Sequence, residues 1–199
     1  MTKNYTKKMF GKVEASILEL YLSGRQHYLS EICRKTRLAR PSVLRTLKKF
    51  EKLKILKIKN IGNIKLYTLN KNKHSISLIS LLEYEKTENF LNKNPKIKTA
   101  VELFIEKERP IIAIIFGSYS KGKAIKGSDL DLLLVKDFKK NNIKKLEELS
   151  GLAYGRTGIN ISPVLMKLDD MRKRNVFVKE IIEAHYIIKG AELFYEELL

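Results

Sequence analysis

Apolar residues along the chain follow two periods in turn. Val13, Ile17, Leu18, Leu20 and Tyr21 recur at the spacing of one helical face, and Ser23-Gly24 stops that helix. A second helix is predicted over 28–36, with Leu29, Ile32 and Cys33 inward. Arg37-Leu38-Ala39-Arg40 interrupts the pattern, and Pro41 suits the first turn of a third helix. There Val43, Leu44, Leu47, Phe50 and Leu53 form the apolar stripe, leaving Ser42, Arg45, Thr46, Lys48 and Lys49 outward. Residues 55–59 and 64–69 then alternate as strands around the turn-rich Asn60-Ile61-Gly62-Asn63.

Beyond the polar stretch 70–74 the helical period returns. Leu78, Ile79, Leu82 and Phe90 mark a linking helix, and Ile97, Val101, Leu103 and Phe104 mark a second helix over 96–107. The short branched run 111–116 reads as a buried strand. A short helix at 119–124 and a strand at 128–135 follow it. Ile143, Leu146, Leu149 and Leu152 predict a helix over 142–154, broken by Gly155-Arg156-Thr157-Gly158, with Arg156 in that loop able to reach a phosphate. A third strand is expected at 159–166, with Asp169 and Asp170 opening the next helix. A final helix over 176–188 ends at Gly190, and 191–195 reads as an edge strand. The fold class is α+β: a winged helix-turn-helix over 1–74, a linking helix over 75–94, and an α/β domain with a small mixed sheet over 95–199.

Charge separates the two parts. Residues 1–75 hold 19 basic and 4 acidic side chains, a net of +15, which leaves only +3 of the total +18 to the remaining 124 residues. A strongly basic unit beside a nearly balanced one points to a polyanionic partner for the first. Apolar residues at 44 % and charged residues at 31 % exclude a disordered chain, and no apolar run is long enough to span a bilayer. The N-terminus lacks an apolar leader core, so a cytoplasmic protein without membrane association is expected. Cys33 is a small buried hydrophobe by pattern, and three scattered histidines form no metal cluster.

The chemistry is concentrated between residues 117 and 131. Gly117 ends an apolar strand and Ser118 opens a short helix, whose free N–H groups would face a phosphate. Asp129 and Asp131 are two apart on the next strand, so both carboxylates leave one face. Paired carboxylates together with substrate phosphates suit Mg²⁺. Lys121 and Lys123 stand in the same turn, placed to neutralise a triphosphate, and Ser128 adjoins the carboxylates.

In order and spacing, strand, Gly117-Ser118, short helix and the Asp129-x-Asp131 strand resemble the nucleotidyltransferase superfamily that includes DNA polymerase beta, in particular its minimal, antitoxin-type members. The resemblance covers about 95–199. It implies that Ser118 binds the triphosphate of an NTP and that Asp129 and Asp131 carry Mg²⁺; with these, Gly117, Lys121, Lys123 and Ser128 are read as nucleotide-binding and Asp129 and Asp131 as catalytic. Such proteins usually add a third acid on a later strand; 159–166 contains none, and Asn160 or Ser162 takes the place according to register.

The basic N-terminal part is similar to the DNA-binding domains of small prokaryotic repressors of the ArsR and MarR kinds. That similarity makes Arg40, Ser42 and Arg45 candidates for base contacts in double-stranded DNA, and Lys48, Lys49, Lys57, Lys59 and Lys65 candidates for phosphate contacts. Two functions are compatible with the whole. One is a DNA-binding nucleotidyltransferase that moves a nucleoside monophosphate to a protein or small-molecule hydroxyl, a toxin protein being one acceptor. The other is a transcriptional regulator whose nucleotidyltransferase domain is impaired and senses nucleotide or dimerises. A homodimer through the linking helix fits either.

Overall fold

A computed structural model describes residues 11–138 and 142–198, with the side chains of Asn142 and Ile143 outside that description. The expectation of a missing leader falls on 1–10, outside the described residues, as does the predicted inward side chain of Ile143. The chain divides into two compact units, the first ending at Glu85 and the second running Lys86–Leu198.

The first unit contains α1 (Lys12–Glu19), β1 (His27–Tyr28), α2 (Leu29–Thr36), α3 (Arg40–Lys52), β2 (Leu56–Ile61) and β3 (Ile64–Leu69). Ile17, Leu18, Ile32, Val43, Leu47 and Phe50 are buried together with the start of β2. The spacing of these side chains along each helix makes one apolar stripe per helix, and mutual burial of the stripes is what holds three short helices that would be marginal alone. The strands form an antiparallel sheet in the order β1-β3-β2, and Gly62, at φ 56°, makes the turn that pairs Ile61 with Ile64. Thr46, expected outward, is buried instead. It sits one turn from Val43 and Phe50, so it lies inside the apolar stripe rather than opposite it.

α4 (Lys73–Lys93) has its residues shared between the two units. The second unit continues with α5 (Pro95–Glu108), β4 (Ile112–Ile115), α6 (Gly117–Ser120), β5 (Leu130–Val135), α7 (Asn142–Thr157), β6 (Ile161–Met166), α8 (Leu168–Arg172), α9 (Val176–Glu183), β7 (Tyr186–Lys189) and α10 (Ala191–Leu198). Its mixed sheet has the order β6-β5-β4-β7, with only the β5–β6 pair parallel. Leu130, Leu132 and Leu134 leave one face of β5 into a core with Val101, Phe104 and Leu149. Because side chains alternate along a strand, this leaves Asp131 and Leu133 to the opposite face. β6 is an edge strand, which explains how it tolerates Pro163.

Besides the short helix expected at 119–124, which forms at Gly117–Ser120, three predicted elements are corrected. The helix expected over 176–188 ends at Glu183, where the buried His185 Nδ1 donates to the Ile181 carbonyl at 2.9 Å, and Tyr186–Lys189 becomes the edge strand beside β4. Residues expected as an edge strand at 191–195 lie in α10. Gly190, at φ 78°, makes the reversal; a Cβ there would overlap the Ile111 carbonyl oxygen. Finally, α7 runs through Gly155 and Arg156 to Thr157, because burial of Leu146, Leu149 and Ala153 outweighs the roughly 1 kcal/mol helix cost of a glycine. Arg156 is therefore an exposed helical side chain rather than a loop residue. Among the described residues no helix is long and apolar enough to cross a membrane.

Candidate nucleotide site and basic groove

At one end of the second unit's sheet the C-terminus of β4 meets the N-termini of β5 and β6, because β4 is antiparallel to β5 while β5 and β6 run together. That topology brings Gly117, Asp129, Asp131 and Asn160 to the same edge from segments distant in the chain. The Phe116 N–H donates to the Asp131 carbonyl at 3.1 Å, closing the β4–β5 ladder at the turn. Gly117, at φ 69°, then reverses the backbone. A Cβ there would overlap Asp131 Oδ2 and lie 2.9 Å from Cγ, so the glycine is what lets the carboxylate lie against the turn.

α6 is one turn long and is held at both sides. Ser120 Oγ lies 3.0 Å from the Gly117 carbonyl oxygen and 2.9 Å from that of Ala184, either of which can accept its one proton. The Lys123 N–H donates to the Ser118 carbonyl at 2.9 Å. Tyr119 OH donates to the Ser128 carbonyl at 3.3 Å, and Ser128 Oγ accepts from the Ile125 N–H at 2.9 Å, which folds the loop leading to the carboxylates. Ser128 thus shapes this loop through its own side chain. Lys121 does not extend freely: its Nζ lies 2.7 Å from Glu180 Oε1 on α9. Lys123 is exposed.

Asp129 precedes β5 and is exposed; Asp131 is half-buried. Burial raises the Asp131 carboxyl above its ordinary value, the neighbouring Asp129 charge raises it further, and Lys121 opposes both. Two carboxylates that repel one another at a half-buried site form an oxygen-only donor set, the kind that suits a hard divalent cation completed by substrate oxygens. Among the described residues no group of three or more His, Cys, Asp and Glu side chains could hold a metal ion. The place beside the pair is filled by neutral side chains. Register puts Ser162 opposite Asp131, and the Asn160 amide donates to Asp129 Oδ1 at 2.7 Å. Asn160 thus stands beside Asp129 and Ser162 opposite Asp131.

A cleft of about 630 Å³ adjoins Asp129, lined by Tyr119, Ser128, Tyr154, Ile159 and Asn160. Tyr119, Tyr154 and Glu180 were not among the residues anticipated. Tyr119 lies inside the predicted turn and was within reach of sequence reasoning, whereas Tyr154 and Glu180 arrive from separate helices with no local signal.

In the first unit a groove of about 790 Å³ lies between α3 and the β2–β3 hairpin, lined by Arg40, Leu44, Lys48, Ile58, Lys65 and Tyr67 among others. Arg40, Lys48 and Lys65 are thus brought together. Arg45, Lys57 and Lys59 are exposed outside the groove, and Ser42 is half-buried at the start of α3. Lys49 is committed elsewhere, its Nζ 2.7 Å from Glu14 Oε1 on α1.

Comparison with known proteins bears on the second unit. Residues 98–193 match the family described as "Polymerase beta, Nucleotidyltransferase". The chain is similar, at 33 % identity over 95 residues, to the Methanocaldococcus jannaschii protein named "Putative protein adenylyltransferase MJ1305". That match covers 45 % of this chain and 65 % of the relative, which is less than two thirds of the relative's length. No solved structure matches the chain significantly. The mixed sheet, the Gly117-Ser118 and Asp129-x-Asp131 segments and both matches support the nucleotidyltransferase superfamily for the C-terminal unit.

Proposed function

We propose that the chain is a DNA-binding nucleotidyltransferase that uses Mg²⁺-NTP to place a nucleoside monophosphate on a hydroxyl, the acceptor being a protein. The observation that carries this reading is the meeting of Gly117-Ser118 with Asp129 and Asp131 at one sheet edge, against a turn that only glycine permits. The named adenylyltransferase relative favours ATP as the nucleotide and a protein as acceptor. In this reading the backbone N–H groups of the turn, with Lys121 and Lys123, bind the triphosphate, and Ser118 and Ser128 fix its orientation. Asp129 and Asp131 would hold the Mg²⁺, which supplies charge neutralisation as the α-phosphorus is attacked. The acceptor oxygen forms a bond to the α-phosphorus, the bond to the β-phosphate oxygen breaks, pyrophosphate leaves, and the hydroxyl proton passes to water.

The first unit reads as a winged helix, with its basic groove meeting DNA phosphates. Antitoxin-like pairing with a toxin acceptor, homodimerisation and autoregulation of transcription belong to the same proposal. A second reading rests on one observation, the neutral Asn160 beside Asp129 where an acid would complete the cluster: a transcriptional regulator whose domain senses nucleotide with little turnover. Transfer of label from ATP, compared between the native chain and the Asp129→Asn/Asp131→Asn double variant, tests the proposal. Label on a protein acceptor that the double variant fails to transfer is the expected result. If the native chain transfers none while nucleotide changes its DNA affinity, the regulator reading stands; if neither occurs, both fall.

A further inference from the structure

Asn160 is tied to the carboxylate pair through both its backbone and its side chain. Its carbonyl accepts from the Leu130 N–H at 2.8 Å, which fixes the start of β6 beside the start of β5. Its amide N–H then reaches Asp129 Oδ1 at 2.7 Å across 31 residues of sequence. A side chain anchored at its own backbone loses little freedom by making that bond. A hydrogen bond to an ionised carboxylate is moreover among the stronger protein hydrogen bonds. Asp129 is exposed, so without this bond its carboxylate would be free to turn to solvent.

The bond has a second consequence. Asn160 donates, so one lone pair of Oδ1 is spent on the amide, and the remaining lone pairs of the Asp129 carboxylate stay available to a cation. An amide cannot be ionised. The sheet edge therefore offers two anionic groups, and Ser162, the neighbour opposite Asp131, adds none. We propose that Asn160 is a positioning residue that pre-sets Asp129 for a divalent cation, and that its neutrality makes this a one-cation site. The inference rests on the reading of Asp129 and Asp131 as cation ligands and specifies how many ions they take and what aims them.

Partners that orient a ligating carboxylate through a hydrogen bond typically change metal affinity by about 10- to 100-fold when removed. The experiment is titration of the full chain with Mn²⁺ alone, counting bound ion by electron paramagnetic resonance, with thermal unfolding recorded in the absence of metal. The native chain is expected to bind one Mn²⁺. Asn160→Ala is expected to bind one Mn²⁺ at least about tenfold more weakly, with its metal-free unfolding temperature little changed because residue 160 is exposed. Asn160→Asp is expected to unfold at lower temperature without metal, since three carboxylates then meet, and to take up a second Mn²⁺. Two ions on the native chain, or equal affinity in the native and Asn160→Ala chains, would overturn the proposal while leaving the cation site standing. No binding by the native chain would overturn the cation reading itself, and the proposal with it.

Discussion

The Asp131 carboxylate fills the space where a side chain at residue 117 would begin. Gly117 lies at φ 69°, and a Cβ on it would collide with Asp131 Oδ2. The turn and the carboxylate are therefore one unit, built from the end of β4 and the start of β5. Asn160 extends that unit to β6, and Ser120 ties it to the Ala184 carbonyl before β7.

Gly117→Ala follows directly. Alanine at positive φ costs roughly 1–2 kcal/mol, and the methyl group must displace Asp131. Nucleotide affinity, measured calorimetrically with Mg²⁺-ATP, is expected to fall at least about tenfold, in line with 1.4 kcal/mol per factor of ten. Unchanged affinity would show that Asp131 does not need its position against the turn.

Lys121 acts on both Asp131 and Glu180. It opposes the rise in the Asp131 carboxyl, and it holds the exposed Glu180 carboxyl below its ordinary value through a hydrogen bond. A triphosphate must compete with Glu180 for this ammonium group. Glu180→Gln is therefore expected to tighten nucleotide binding, and Lys121→Ala to weaken it, with thermal stability little altered in either. Weaker binding in Glu180→Gln would mean that Glu180 holds Lys121 in its working position instead.

Glu108 gives a pH signature of the second unit. Its carboxylate is buried, and burial alone would raise its pKa. Lys145 at 2.9 Å and Lys136 at 3.0 Å reverse that effect and hold it below its ordinary value. A group with a folded pKa below the unfolded one stabilises the protein above the unfolded value, and the contribution is lost as pH falls through the folded value. Glu108→Gln should cost about 1–3 kcal/mol near neutrality. The difference from the native chain should shrink as pH drops below about 4.5. Unfolding temperatures recorded across that range check the sign.

For the basic groove, lysines that meet phosphate should each contribute about one to the slope of log affinity against log salt. Lys48→Ala is expected to lower the slope by about one. Lys49→Ala should change it less, because Lys49 is paired with Glu14. Binding to a fixed duplex over a salt series separates the two, and equal effects would place the DNA elsewhere than the groove.

Legibility in the sequence followed the range of the forces. Gly117-Ser118 and Asp129-x-Asp131 could be read because each is a local pattern: a strand that runs into a glycine, and two carboxylates two residues apart. The stripes of α1 to α3 were readable for the same reason. Tyr186–Lys189 was not, because Ile187-Ile188 fits a helical face as well as a strand, and its pairing with β4 decided between them. Gly155 likewise looked like a helix end, and the burial of Ala153 kept the helix going.

By itself the sequence determined the three helices and the hairpin of the first unit, the concentration of positive charge in the first 75 residues and the two-residue spacing of Asp129 and Asp131, since these depend on spacing and composition alone. Only tertiary structure decided what stands around them. Asn160 reaches Asp129 from 31 residues away, Glu180 takes hold of Lys121 from 59 away, and Lys49 turns to Glu14 from 35 away. Such pairings depend on strand register and helix packing, which are settled by burial of the whole apolar surface rather than by any local run of residues.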